Sequence, residues 1–166
     1  FGATVNAVRE SLDSQFEGTM EWRLGRCDLA ANRDLPDPDP QKQRFVCGYS
    51  PNVDADDAML VGRVTDTTGR IRATLVNYAC HPTTLNFMQW CGDYPGFAQL
   101  AIEAKHPGAV ALFVNTCGGD QNPLPRRSVE LCQKYGHELA AGVEQVLKQP
   151  LTPVSGGLRT AFEMLE

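Results

Sequence analysis

The sequence lacks several features that would place it at once in a large class of proteins. It has no excess of positive charge, with 15 Lys and Arg against 20 Asp and Glu and a formal net charge of -5. No apolar run approaches the roughly 18–20 residues that cross a bilayer, and no two of the six cysteines form a C-x-x-C pair. We therefore expect no nucleic-acid partner, no transmembrane segment and no structural zinc site made of cysteines.

What is present indicates a globular protein. The chain has 166 residues, of which 42% are apolar, which corresponds to one domain or part of one. It begins at Phe1 inside a helical pattern, without the pattern of a signal peptide. Residues 157–166 have the pattern of a strand that has no following partner. We therefore expect residues 1–166 to be a fragment of a single larger domain.

The order of the predicted elements is typical of an α/β protein. Residues 65–70 include Gly69 and separate two β-rich runs, which predicts a hairpin. The alternating prolines of residues 35–40 predict an extended loop without strand pairing, which continues to about Asp57. Together these patterns predict a mixed β-sheet flanked by helices, as a partial domain. The predicted helices are 4–16, 93–105 and 128–148, and the predicted strands are 19–26, 58–64, 71–79 and 109–115.

Two of the predicted strands end in polar sequence, where ligands of α/β proteins usually bind. Residues 109–115 form a continuous apolar run, which predicts a strand covered on both faces. His81 follows the 71–79 strand, and Pro82 keeps it out of helical geometry. An imidazole so placed suits a zinc ligand or a general base, although a histidine satisfied by a carbonyl group fits the spacing as well.

The glycine-rich loop after the 109–115 strand supplies the other candidates. Its backbone can approach a ligand closely, Asp120 can orient a ligand or accept a hydrogen bond from a histidine, and Asn122 can donate to a polarised carbonyl. An Asx-rich turn is the alternative interpretation. Cys80 is disfavoured as a partner of His81, since adjacent residues of an extended chain point to opposite sides. Asp93 is placed to begin the helix beside this site.

With these residues assembled, the chain resembles the neutral/alkaline, non-lysosomal ceramidase family, in part of its N-terminal catalytic domain and closest to a bacterial branch. The resemblance rests on NYACHPTTLN (77–86), CGDYPGFA (91–98) and ALFVNTCGGDQNP (111–123). It implies that residues 1–166 are a fragment of a single ceramidase-like catalytic domain. By the same resemblance, His81 is one ligand of a catalytic Zn2+ whose other ligands lie outside the chain, and Asp120 and Asn122 are site residues.

The resemblance also implies hydrolysis of an amide bond in a lipid or small-molecule substrate, and a secreted or periplasmic location. Two departures from the family pattern bear on function. Asn122 stands where the family has a loop serine with a catalytic role, and Cys91 replaces the serine of a Ser-Gly-Asp motif. Two alternatives therefore stay open: a metal-dependent hydrolase of a non-lipid substrate, and a binding module that kept the fold without the chemistry.

Overall fold

A computed structural model describes residues 1–157 and 159–164. The elements follow the α/β order expected from the sequence, with several short strands added between the long ones. The helices are α1 (Gly2–Asp13), α2 (Asp93–Lys105) and α3 (Val129–Leu147), with a 3-10 turn at Pro40–Lys42. The strands are β1 (Gly18–Arg26), β2 (Ala30–Asn32), β3 (Asp34–Pro36), β4 (Phe45–Cys47), β5 (Ala58–Asp66), β6 (Ile71–Tyr78), β7 (Val110–Asn115), β8 (Gln121–Pro123) and β9 (Thr152–Pro153).

The main sheet is mixed and has the strand order β7-β6-β5-β1-β9. The predicted hairpin joins β5 and β6, and its turn is closed by Asp66, whose side chain accepts hydrogen bonds from the N–H groups of Thr68 (3.0 Å) and Arg70 (3.1 Å). Gly69 in this turn has a φ of 81°, a conformation that favours glycine. Strands β6 and β7 run parallel, with α2 as the crossover between them. The predicted mixed α/β sheet is confirmed.

Helices α2 and α3 cover one face of the sheet, here called the closed face. The central apolar side chains of this face are buried together with those of both helices in one core. The helices pack closely at Gly136, where an added Cβ would lie 2.5 Å from the Cβ of Phe97. Helix α3 begins after Ser128, whose hydroxyl accepts a hydrogen bond from the N–H of Leu131 (3.2 Å). The core includes Met59, Val61, Val76, Tyr78, Tyr94, Ile102, Leu139 and Val143.

The opposite face of the sheet, here called the open face, also carries large apolar side chains. Within the described residues, no layer of helices or strands packs on it. Trp22 and Leu24 of β1 are 41% and 59% exposed, and Leu112 and Val114 of β7 are 45% and 44% exposed. The prediction that the 109–115 strand is covered on both faces is therefore wrong for the described residues. The apolar run was read correctly as a strand, but β7 lies at the edge of the sheet.

Other corrections concern short pairings that sequence patterns do not reveal. Pro36 takes part in the ladder of β3 with β4, opposite Phe45, although a loop without pairing was predicted. Each strand of a two-stranded ladder has one edge that faces no other strand. A proline whose nitrogen lies on that edge does not interrupt the hydrogen bonds of the ladder. Within 157–166, the described residues 157 and 159–164 form no strand, and the rest of that prediction lies outside the described residues. The last strand of the described chain is instead β9, which pairs with β1 on the side away from β5.

Helix α1 confirms the predicted N-terminal helix but contributes no buried residue. Among the described residues, no helix is both long enough and apolar enough to cross a membrane.

Candidate functional site

The two polar strand ends lie side by side, because β6 and β7 are parallel neighbours. The N–H of Thr116 donates to the carbonyl of Tyr78 (3.2 Å), and the N–H of His81 donates to the carbonyl of Gln121 (3.2 Å). Gly118 is required at this crossing, since a Cβ there would lie 3.0 Å from backbone atoms of both Ala79 and Cys80. The His81 segment and the glycine-rich loop thus form one polar cluster, here called the site.

The ring of His81 is held by two backbone carbonyl groups. Its Nδ1 lies 2.6 Å from the oxygen of Gly118 and 3.1 Å from the oxygen of Gln121. Because both partners are acceptors, Nδ1 must carry the proton, and Nε2 of the neutral ring then keeps its lone pair. The side chain is half-buried. This arrangement is the one that orients a metal-binding histidine through its second nitrogen.

Asn122 occupies the middle of the site and is fully buried. Its Oδ1 accepts hydrogen bonds from the hydroxyl of Thr83 (3.1 Å) and from Nη1 of Arg33 (3.4 Å). Its Nδ2 donates to the sulfur of Cys47 (3.6 Å). The amide therefore connects the segment after His81 with the β2 to β4 region, which lies far away in sequence.

Arg33, Cys47 and Thr83 are site residues that the sequence analysis did not single out. Arg33 also donates from Nε to the carbonyl of Gly119 (2.9 Å), so its guanidinium spans the glycine-rich loop. It reaches the site because β2 pairs with β8, the strand that carries Asn122. Thr83 lies two residues after His81 and its polarity was a usable signal, but nothing in the local pattern links Cys47 to this loop.

Asp120 lies in the same loop but does not contact the histidine. Its Oδ2 accepts a hydrogen bond from the side-chain amide of Asn32 (3.1 Å), and its carbonyl accepts from the N–H of Arg33 (2.7 Å). Of the two roles considered for Asp120, a hydrogen bond to a histidine is not among the contacts of the described residues, where Nδ1 of His81 faces two carbonyl groups, and the role of orienting a ligand stays a prediction. Asp120 fixes the shape of the loop against β2.

Asp93 ties the segment after His81 to the start of α2. Its carboxylate accepts hydrogen bonds from the N–H groups of Thr84 (3.1 Å), Leu85 (2.9 Å) and Tyr94 (2.8 Å), and the side chain is buried. The residue has a φ of 50°, a left-handed conformation that costs about 1–2 kcal/mol for a residue with a Cβ. These hydrogen bonds offset that cost and hold the helix start beside the site.

Two buried groups beside the site, the Cys80 thiol and the Tyr94 hydroxyl, are structural. Burial raises the pKa of the Cys80 thiol to about 12, so at neutral pH it is not the thiolate that a nucleophile requires. Burial likewise raises the pKa of Tyr94, whose hydroxyl donates to the carbonyl of Cys80 (2.7 Å). The other histidines lie elsewhere: Nε2 of His106 pairs with Glu144 (2.8 Å), and His137 is exposed on α3.

In the part of the chain that the structure describes, no group of three or more His, Cys, Asp or Glu side chains is placed to hold a metal ion. His81 alone offers a suitable nitrogen at the site. The described side chains of this region therefore offer a metal ion one imidazole nitrogen, which is fewer ligands than a protein zinc site uses.

Comparison with known proteins identifies the fold. No protein-family model matches the sequence, and no curated protein matches it either. The solved structures that are similar include the neutral ceramidase from Pseudomonas aeruginosa (TM-score 0.73, 18% identity, covering 92% of this chain and 26% of that chain) and a ceramidase complexed with C2 (TM-score 0.68, 18% identity, covering 86% of this chain and 24% of that chain). The resemblance to a ceramidase fragment is thus confirmed for the fold, and the chain spans about a quarter of those proteins.

Proposed function

We propose that this chain is part of the catalytic domain of a zinc-dependent amidohydrolase of the ceramidase type, which hydrolyses the N-acyl amide bond of a ceramide-like lipid. The observation that carries the proposal is the pair of carbonyl groups at Nδ1 of His81, which leaves Nε2 free as a ligand. The fold shared with two ceramidases supports it.

In this proposal, His81 supplies one zinc ligand and polypeptide outside residues 1–166 supplies the others. When bound, such an ion lowers the pKa of a water molecule and polarises the amide carbonyl of the substrate. The carbonyls of Gly118 and Gln121 accept from Nδ1–H, so that the lone pair of the neutral ring lies on Nε2, and they fix the orientation of the imidazole. The role of the glycine-rich loop is thus to position the ligand.

The polar residues around Asn122 have supporting roles. A carboxamide is not a nucleophile, so no covalent intermediate forms on Asn122, in contrast to a mechanism that uses a serine at this position. Arg33, which contacts both Asn122 and Gly119, brings a fixed positive charge to the site. Such a charge favours the anionic oxygen that develops as a nucleophile adds to an amide. Asp120 and Asp93 shape the two loops and are positioning residues.

The binding-module alternative rests on one observation, the carboxamide of Asn122 in place of the family's serine. A module of this kind keeps the fold and needs neither zinc nor turnover. The other alternative, a metal-dependent hydrolase of a non-lipid substrate, keeps His81 as a ligand and differs only in the compound that is cleaved.

The test uses the whole protein with three preparations: wild type, His81→Ala, and His137→Ala as a control on the exposed side of α3. Each is assayed on a long-chain N-acyl sphingoid amide, a short-chain amide and a simple ester, before and after treatment with a chelator. We expect wild type and the control to cleave the amides, to lose the rate on chelation and to regain it with zinc, while His81→Ala stays inactive.

Amide turnover by His81→Ala at the wild-type rate contradicts the assignment of His81. Turnover of the ester alone supports the non-lipid hydrolase, and no turnover of any compound by a zinc-free protein supports the binding module.

A further inference from the structure

A short loop beside the site exposes large apolar side chains to an unusual degree. In residues 86–91, here called the apolar loop, Met88 and Trp90 are completely exposed (102% and 104%) and Phe87 is 42% exposed. Single exposed apolar residues are ordinary on protein surfaces, but a cluster of large ones at one tip marks an interaction site. No charged residue lies between Leu85 and Gly92.

Both ends of the apolar loop are anchored to the same carboxylate. Asp93 accepts the N–H groups of Thr84 and Leu85 on one side and begins α2 on the other. No hydrogen bond joins residues 86–90 to another part of the described chain. The loop is therefore a projection with a fixed base and a free apolar tip.

The loop lies directly beside the catalytic candidates. It starts five residues after His81, and Thr83 between them contacts Asn122. At its other end, Cys91 and Asp93 border a depression of about 380 Å³ on the outer side of α2, lined in part by Phe97 and Leu100. The depression therefore lies at the base of the apolar loop, with Phe97 and Leu100 as its apolar lining and Gln99 and Glu103 as its polar lining.

The chemistry of the loop favours an uncharged lipid surface as its occupant. The open face of the sheet presents its apolar residues with the strand period of two, which suits coverage by another layer of polypeptide. The apolar loop has no such period and carries Trp90, whose ring partitions to the boundary between lipid and water, together with the apolar ring of Phe87. It lacks Lys and Arg, and the chain has a net charge of -5, so attraction to anionic lipid does not contribute.

We propose that Phe87, Met88 and Trp90 insert into the interface of a zwitterionic or neutral lipid phase and hold the His81 site against it. The inference rests on the proposed function, since a long-chain N-acyl amide resides in such an interface. It explains why the most exposed tryptophan and methionine of the described chain lie on the loop that follows the metal ligand.

The first experiment uses tryptophan fluorescence of the whole protein. Residues 1–166 contain two tryptophans, so any tryptophans outside this range are first replaced by Phe, and Trp22→Phe then leaves Trp90 as the reporter. Vesicles of phosphatidylcholine with brominated acyl chains are added. We expect Trp90 to shift its emission to the blue and to be quenched, whereas the matched variant Trp90→Phe, which retains Trp22, is not quenched. Emission from Trp90 that is already blue-shifted without vesicles, or is unchanged by them, overturns the proposal in favour of a protein partner or of no partner.

The second experiment separates this inference from the proposed function. Sedimentation with phosphatidylcholine vesicles is compared for wild type, the double variant Met88→Ser/Trp90→Ser, and Phe45→Ser, which removes an exposed ring from β4 instead. We expect binding of the double variant to fall about tenfold or more, from the apolar area lost, with Phe45→Ser unchanged. The ratio of the rate on vesicle-embedded amide to the rate on a short soluble amide falls with it.

Vesicle binding that depends on the loop, in a protein that cleaves neither amide, refutes the proposed function and leaves the loop assignment standing. Equal vesicle binding by wild type and the double variant refutes the loop assignment whatever the enzyme cleaves.

Discussion

The two faces of the main sheet are similar in sequence and opposite in surroundings. Met59 on the closed face is fully buried beneath α3. On the neighbouring strand Gly25 pairs with Met59, and the preceding residue, Leu24, is 59% exposed on the open face. Both faces carry large apolar side chains, so apolar character alone does not determine which one is covered. The difference shows that α2 and α3 stabilise one face only, and that the open face has the composition of an interface.

The largest expected effect tests this contrast directly. Met59→Ala removes a fully buried side chain and should lower the free energy of unfolding by about 2–5 kcal/mol, measured by urea denaturation. Leu24→Ala should cost less than about 1 kcal/mol if the open face faces water. A large loss for Leu24→Ala in the whole protein, equal to that for Met59→Ala, would show that another layer covers the open face there.

The second prediction concerns the contact of α2 with α3 on the closed face. An added Cβ at Gly136 meets Phe97 at 2.5 Å and the carbonyl of Tyr94 at 2.8 Å, so Gly136→Ala should destabilise the protein by about 1–3 kcal/mol. Gly142→Ala is the matched control, because its nearest neighbour is the flexible end of Met59 at 3.3 Å. Helix propensity should make the control neutral or stabilising by up to about 1 kcal/mol. Equal losses in the two variants would contradict the close approach at Gly136.

The third prediction concerns the edge of the sheet that carries the site. Asp93→Ala removes the acceptor of three N–H groups and should cost about 1.5–3 kcal/mol, as for hydrogen bonds to a charged group. Asp93→Asn keeps one acceptor oxygen and tolerates the positive φ, so it should cost less. Amide hydrogen exchange at Thr84 and Leu85 should speed up in the alanine variant and leave the core amides of β5 unchanged. Exchange that speeds up equally everywhere would indicate global unfolding instead.

The last prediction concerns the cysteines. In the described chain Cys47, Cys91 and Cys117 are exposed and Cys27, Cys80 and Cys132 are buried. Mild alkylation of the native protein should modify the exposed set only, because burial raises the pKa of Cys80 and of Cys132 to about 12. Because the pKa of these two thiols is higher in the folded than in the unfolded state, the free energy of unfolding is at its full value below pH 9. It should fall as the pH rises from 9 to 12, where the unfolded thiols lose their protons first. Modification of Cys80 at neutral pH without unfolding would contradict its burial.

Local patterns sufficed for the elements whose signals lie within the element itself. The spacing of Cys132, Tyr135, Leu139 and Val143 predicts α3 and its buried side, and all of them are buried. The turn at Gly69 predicts the β5 and β6 hairpin. The two polar strand ends predict where His81 and the glycine-rich loop meet, since strand ends of a parallel pair share one edge.

Pairings between distant short segments could not be predicted in this way. The three-residue strands β2 and β8 join positions about ninety residues apart, and three residues carry no detectable period. Their pairing is what brings Arg33 to Asn122 and Asn32 to Asp120, so these contacts were missed with it. The prediction that β7 is covered on both faces was wrong because an apolar run shows only that both faces of a strand can be buried. It does not show whether other parts of the chain pack against them.

The most direct test of the site is the zinc content of the whole protein, determined by elemental analysis on wild type, His81→Ala and the control His137→Ala. If Nε2 of His81 is a zinc ligand, wild type and His137→Ala should each hold one equivalent of zinc at the site, and His81→Ala should lose it while remaining folded. Equal zinc in all three proteins, or zinc in none of them, would contradict the assignment of His81 as a metal ligand.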